Sequence, residues 1–138
     1  MKDAIHKVQQ FHEAFGVPVA DAPIGAIPPE LRALRIRLLE EELEEYKLAS
    51  AAGDIVAVAD ALTDLAYVLF GTYVTHGLQD SADALFDEVH RSNVSKLDQD
   101  GRPIYREDGK VLKSAQFSEP NLARMLGRQE LAALFAAD

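Results

Sequence analysis

Glu41, Glu42 and Glu45 share one side of a helix: at about 100° per residue they fall within roughly one quadrant of the wheel. Leu31, Leu34 and Leu38 project onto the same sector, so a stripe that begins apolar continues as three carboxylates. Glu40 and Glu44 point elsewhere, where a solvated face belongs. Downstream, Asp60 and Asp64 are spaced i, i+4 in a stretch from Ile55 to Val74 that is apolar nearly all round. That pattern predicts a buried central helix, in which two aspartates are costly unless something compensates their charge. A run of Glu on a helix is most often a solvated face, but solvation does not account for acids inside an apolar helix. Five carboxylates on two facing helices, with few basic residues near them in sequence, require a cation. Ligands that are all oxygen suit Mg²⁺, with Mn²⁺ as its substitute, better than Zn²⁺.

The elements that must position these groups read clearly. Ile5, Val8, Phe11, His12 and Phe15 recur at helical spacing, which predicts a first helix over Lys2 to Phe15 closed by Gly16. His12 beside that stripe reads first as a structural histidine. Residues 16–29 hold Pro18, Pro23, Pro28 and Pro29 and predict an irregular loop, long enough to be functional or mobile. Pro29 opens a second helix running to about Ala51, with Arg32, Arg35 and Arg37 along its first half. Gly53 breaks it, and Asp54 suits the N-cap of the third. The short connection makes helices two and three antiparallel neighbours, with Glu45 level with Asp60 and Glu41 or Glu42 level with Asp64.

A fourth helix is predicted over about Ser81 to Ser95. Its end, Glu88-Val89-His90-Arg91-Ser92-Asn93-Val94-Ser95-Lys96, offers donors of the kind that hold phosphate. A polar last turn complementing the helix dipole is the competing account. Asp100-Gly101 and Asp108-Gly109 mark turns around a small hairpin or extended segment near residues 103–113, the most basic part of the chain. Pro120 begins a last helix through Ala136.

The chain has 138 residues, 48% of them hydrophobic, which predicts one domain with its own core. Its net charge of −9 argues against a nucleic-acid polymer or an anionic membrane as partner. A small phosphorylated ligand stays compatible where cations neutralise the carboxylates. There is no cysteine, hence no disulfide framework, thiol nucleophile or Cys-based zinc site. The N-terminus lacks a signal-peptide apolar core, so a cytoplasmic protein is expected. The Ile55–Val74 run is long enough to span a bilayer, but its two aspartates favour a buried helix of a soluble protein.

Taken in order, these stretches resemble the all-α nucleoside triphosphate pyrophosphohydrolases, the superfamily of MazG-like proteins, dimeric dUTPases and phosphoribosyl-ATP pyrophosphatases. Its hallmark is a Glu-Glu-x-x-Glu helix followed by a Glu-x-x-Asp helix. Glu41-Glu42-Leu43-Glu44-Glu45 matches the first part, and the run from Asp64 to Gly71 resembles the end of the second. The stretch from Glu88 to Lys96, with Asp108-Gly109-Lys110 and Val111-Leu112-Lys113, looks like the MazG-like branch containing the Deinococcus dUTP-cleaving enzyme. Ala61 stands where the family has an acid three residues before Asp64, and Asp60, one residue earlier, is expected to substitute for it.

The resemblance implies an all-α antiparallel helical bundle completed by oligomerisation, as a homodimer or homotetramer. It implies Mg²⁺-dependent cleavage of a nucleoside triphosphate to monophosphate and pyrophosphate, dUTP or a non-standard nucleotide included. Glu41, Glu42, Glu45, Asp64 and Asp60 would hold the metal, and Glu41 or Glu42 would serve as the base. Asn93, Lys96, Lys110 and Arg91 would hold the phosphates, with Phe11 and His12 at the nucleobase. The alternatives are a phosphoribosyl-ATP pyrophosphohydrolase-like activity, or a non-catalytic helical binding and dimerisation protein. A di-iron carboxylate bundle is disfavoured because Glu88-Val89-His90 lacks the Glu-x-x-His spacing.

Overall fold

The computed structural model describes residues 1–127. Four helices are named in chain order: α1 (Lys2–Phe15), α2 (Pro29–Ala52), α3 (Ile55–Thr75) and α4 (Ala82–Val94). Residues 122–127 are helical as well, and the rest of the last expected helix lies outside the described residues. Among the described residues there is no strand, so the all-α class holds. The expected hairpin is reduced to one antiparallel bridge between Tyr105 and Val111. Leu112 N donates to the Ile104 carbonyl at 2.7 Å and Arg106 N to the Lys110 carbonyl at 2.8 Å.

Contacts gather into two compact units, Met1–Asp80 and Ser81–Asp138. In the first, α3 packs along α2 and, less extensively, on α1. Local chemistry sets the ends of the α2–α3 hairpin. Gly53 closes α2 in the left-handed conformation, at φ 68°. The Asp54 carboxylate then accepts from Val56 N at 2.9 Å and Ala57 N at 3.2 Å, capping α3.

One expectation needs correction. The third helix is not buried: of α3 only Ala61, Gly71, Val74 and Thr75 are inside, while Ile55 and Val56 stand about three-quarters exposed. Within the first unit α2 and α1 are the helices packed along it, and a helix apolar all round has more surface than two neighbours can shield. Asp60 and Asp64 accordingly lie exposed rather than in an apolar interior. By length and composition alone α3 is long and apolar enough to cross a membrane.

The proline-rich loop is irregular, as its sequence predicts, and it is strapped to the end of α3. Ala20 N donates to the Val74 carbonyl at 3.2 Å and Ile24 N to the His76 carbonyl at 2.9 Å. Gln79 Nε2 donates to the Ala20 carbonyl at 2.9 Å, and His76 Nδ1 meets the Ile24 carbonyl at 2.7 Å. Gly77, at φ 70°, lies so close to the Ala22 carbonyl that no side chain would fit. Prolines remove donors from such a segment, and two of its remaining amides, those of Ala20 and Ile24, are satisfied by the helix end.

Candidate active site

Glu42 is the centre of the acidic face. It is half-buried, and its Oε2 is enclosed with no hydrogen-bond partner. An orphaned buried carboxylate oxygen is costly. Burial pushes the Glu42 carboxyl above its ordinary range, and the charges of Glu45, Asp64, Glu41 and Asp60 push it further the same way. The four other acids singled out by the sequence therefore act on Glu42 from both α2 and α3. All four, Glu41, Glu45, Asp60 and Asp64, are exposed. Among the described residues no three acidic or histidine side chains converge into a group able to hold a metal ion. The donor set is nonetheless all oxygen, and Glu42 Oε2 lacks the positive partner a cation would supply.

The helix register follows from a residue that the sequence placed along the first half of α2 without a role. Arg35 is buried, 6% exposed, on the stripe of α2 that continues to Glu42. Its Nη2 donates to the Val68 carbonyl at 2.6 Å and its Nε to Thr72 Oγ1 at 3.2 Å. Arg35 thus meets α3 between residues 68 and 72, and stepping seven residues along each antiparallel helix sets Glu42 against residues 61–65, which include Asp64. Desolvation lowers the proton affinity of the guanidinium. Its spacing of two turns from Glu42 was the available signal.

His12 is buried, 3% exposed, with Nδ1 3.1 Å from the Pro18 carbonyl. Burial lowers its pKa. The bond to Pro18 opposes the shift, and the charge of Arg35 adds to it. A neutral ring donating from Nδ1 satisfies that carbonyl, which is the structural role. Phe11 is partly exposed and meets Phe15 at 4.4 Å and Tyr67 edge-on at 5.7 Å between centroids. Tyr67 lies one turn beyond Asp64, so this aromatic group borders the acidic face.

The basic candidates lie in the second unit. Lys96 Nζ donates to Asn93 Oδ1 at 2.7 Å, holding two of them together. Arg91 is committed elsewhere. Its Nε and Nη2 grip both oxygens of Glu88 at 2.9 and 2.8 Å, and Nη2 also donates to the Glu119 carbonyl at 3.0 Å. Those bonds, with one from Asn121 N, hold the Glu88 carboxyl down to about 2. Arg106 pairs with Asp108, and Lys113 with Glu119 at 2.8 Å. Lys110 is exposed, and its side chain is in no hydrogen bond or ion pair among the described residues.

The sequence pattern of the phosphoribosyl-ATP pyrophosphohydrolase family matches residues 8–93, more than half of the chain. The match takes in Phe11, His12, all five acids, Arg91 and Asn93, and stops short of Lys96 and Lys110. No curated protein matches the chain.

Proposed function

The chain belongs to the phosphoribosyl-ATP pyrophosphohydrolase family, and from that premise we propose that it hydrolyses the α–β phosphoanhydride of a nucleoside triphosphate, releasing monophosphate and pyrophosphate. The family's activity is of the nucleotide pyrophosphohydrolase type and its fold all-α, which agrees with the helices seen here. The observation that carries the proposal is Glu42, a carboxylate with an orphaned enclosed oxygen in the field of four other acids. Such a group holds a proton more readily than an ordinary carboxylate, as a base acting on water near neutral pH must. Glu41 is the second candidate for that role.

Glu41, Glu42, Glu45, Asp60 and Asp64 would hold Mg²⁺ or Mn²⁺. When bound, the cation neutralises phosphate charge and favours ionisation of water. Asn93 and Lys96, already joined, and Lys110 are the proposed donors to phosphate oxygens, with Arg91 the weaker member because Glu88 and Glu119 occupy it. His12 serves the nucleobase end by shaping α1 around Phe11. The substrate is a ribo- or deoxyribonucleoside triphosphate of the MazG-like kind, with dUTP or a non-standard nucleotide as the leading members and the cytoplasm as the setting.

Phosphoribosyl-ATP is the second reading, favoured by the family match itself. A panel of nucleoside triphosphates and phosphoribosyl-ATP, incubated with Mg²⁺ or Mn²⁺ and scored for monophosphate and pyrophosphate, tests both. Pyrophosphate from one substrate class identifies it. Orthophosphate as the product, or no product from any nucleotide, overturns the proposal in favour of a phosphatase or a non-catalytic helical protein.

A further inference from the structure

Arg35 occupies an unusual position for a charged side chain. It is 6% exposed, and no carboxylate pairs with it among the described residues. Among the described residues its hydrogen bonds go to neutral groups of α3, the Val68 carbonyl at 2.6 Å and Thr72 Oγ1 at 3.2 Å. Thr72 Oγ1 itself donates to the same Val68 carbonyl at 2.9 Å, which closes a triangle on one turn of α3. Helix α3 makes room for it at Gly71, where a Cβ would come within 2.5 Å of Arg35 Nη2.

Desolvating a guanidinium without an anionic partner is a poor way to gain stability, and an apolar residue of similar size would pack the same space at less cost. What the arginine adds is direction. Aliphatic contacts between two helices tolerate axial sliding, whereas a planar fork bound to a fixed carbonyl and hydroxyl does not. Seven residues separate Arg35 from Glu42, about 10.5 Å along α2 at 1.5 Å per residue. The midpoint of Val68 and Thr72 lies six residues from Asp64, about 9 Å along α3. In antiparallel helices these two spans bring Glu42 and Asp64 level to within about 2 Å. A slip of one turn, about 5.4 Å, would part them.

We infer that Arg35 is a positioning residue that locks the axial register of α2 against α3 and thereby keeps the Glu42 and Asp64 carboxylates opposite each other. The inference rests on the reading of the acidic face as a cation site only for its functional consequence; the register can be measured without any cation.

The test uses Arg35→Met, Arg35→Lys and Thr72→Val in the full chain. The chain has no cysteine, so spin labels at Glu40→Cys and Thr63→Cys, both exposed positions, report the interhelix distance. Mn²⁺ affinity is read in parallel by electron paramagnetic resonance on protein shown to be folded. Arg35→Met is expected to shift or broaden the label distance and weaken Mn²⁺ at least tenfold. Arg35→Lys, which keeps one donor, is expected to recover most of both. Thr72→Val, with the arginine intact but one partner removed, falls between. If Arg35→Met does not fold, the lysine and valine variants carry the same comparison.

A lower melting temperature with unchanged distance and unchanged Mn²⁺ affinity overturns the inference, because it leaves Arg35 as packing alone. A shifted distance with unchanged affinity overturns it equally. Failure of the wild-type protein to take up Mn²⁺ removes the cation-site reading instead. The distance measurement then decides the register, a shift supporting the inference and its absence ending it.

Discussion

The Arg35 guanidinium and Gly71 compete for the same space: a Cβ at residue 71 would lie 2.5 Å from Arg35 Nη2 and 2.8 Å from His12 Nε2. Glycine inside a helix costs about 1 kcal/mol relative to alanine, so the residue is there for what packs over it. Gly71→Ala is therefore expected to destabilise despite its better helix propensity, by about 1–3 kcal/mol as at other overpacked positions. Urea unfolding of the two proteins measures this. A more stable alanine variant would mean that Arg35 and His12 move aside freely.

Glu42 makes the metal-free protein less stable as pH rises. Burial and the neighbouring acids raise its carboxyl in the folded state, so the folded chain keeps that proton to higher pH than the unfolded chain does. The stabilisation is complete below the unfolded value of about 4.3 and is lost as pH rises through the raised folded value. Glu42→Gln removes this dependence and relieves like-charge contacts, about 0.2–0.5 kcal/mol for each neighbour at helical spacing. Turnover with Mg²⁺ is expected to fall by about 10²–10⁴-fold if Glu42 handles the proton of the attacking water. Melting curves in chelator across mildly acidic to neutral pH, paired with turnover, check both halves. Asp64→Asn is expected to lower turnover as well while leaving the fold intact. A destabilised but active variant would identify a structural charged face.

His12 gives the opposite sign. Its folded pKa is lowered, by burial first, so the neutral ring stabilises the fold above the unfolded value of about 6.5 and that stability is lost as pH falls through the lowered folded value. His12→Gln is expected to flatten the acid side of the stability profile while leaving in place the fall that Glu42 causes as pH rises. Comparing melting temperature against pH for wild type, His12→Gln and Glu42→Gln separates the two contributions. A profile unchanged by His12→Gln would show that the ring carries no buried neutral role.

The acidic face was legible in the sequence because charge at helical spacing is a local signal. Gly53 and Asp54 announced the hairpin, and the level of Glu41 or Glu42 with Asp64 followed from its short turn. Arg35 was not singled out because three arginines at alternating places on α2 look alike until one is seen seven residues from Glu42 and turned inward. The bare face of α3 was not legible: periodicity tells that a helix is apolar, not how many neighbours cover it. The strapping of the proline-rich loop depends on backbone bonds to Val74 and His76, which no side-chain pattern encodes. The pairing of Arg91 with Glu88 at i, i+3 was readable and changes the standing of Arg91 as a phosphate donor.

Helix α3 leads to an assembly prediction. Ile55 and Val56 at the start of α3, and Leu62 and Leu69 further along, remain exposed, as does Leu48 of α2. Monomers rarely leave contiguous apolar patches larger than a few hundred Å² uncovered. A homodimer, or a tetramer built from it, is expected to cover this face, and light scattering should report a multiple of 15.1 kDa. Leu62→Asp should shift the population toward monomer. A monomer at micromolar concentration in the wild-type protein would refute the assembly.

Lys110 is the sharpest test among the basic residues. Carboxylates can supply metal ligands but no donors, so the outer oxygens of a triphosphate need cations from elsewhere in the chain. Several cations of the second unit are already engaged: Arg91 with Glu88, Arg106 with Asp108, Lys113 with Glu119. Lys96 is shared with the neutral Asn93 amide, which leaves its charge uncompensated. The Lys110 ammonium has neither kind of partner among the described residues, and an ammonium on a flexible stem serves phosphate as a point charge. Losing a charge-assisted hydrogen bond costs about 1.5–3 kcal/mol, or roughly 10- to 150-fold in affinity. Lys110→Ala is expected to lose that much for a non-hydrolysable triphosphate and far less for the matching monophosphate, with Lys96→Ala following the same pattern. Arg91→Ala is expected instead to loosen the segment around Glu119 and Asn121, with a fall in melting temperature rather than a change in triphosphate preference. Titrating both ligands into wild type and the three variants, with divalent cation present, separates these outcomes. Equal losses for the two ligands, or none, would remove the basic segment from phosphate binding and leave Lys110 as a solvated charge.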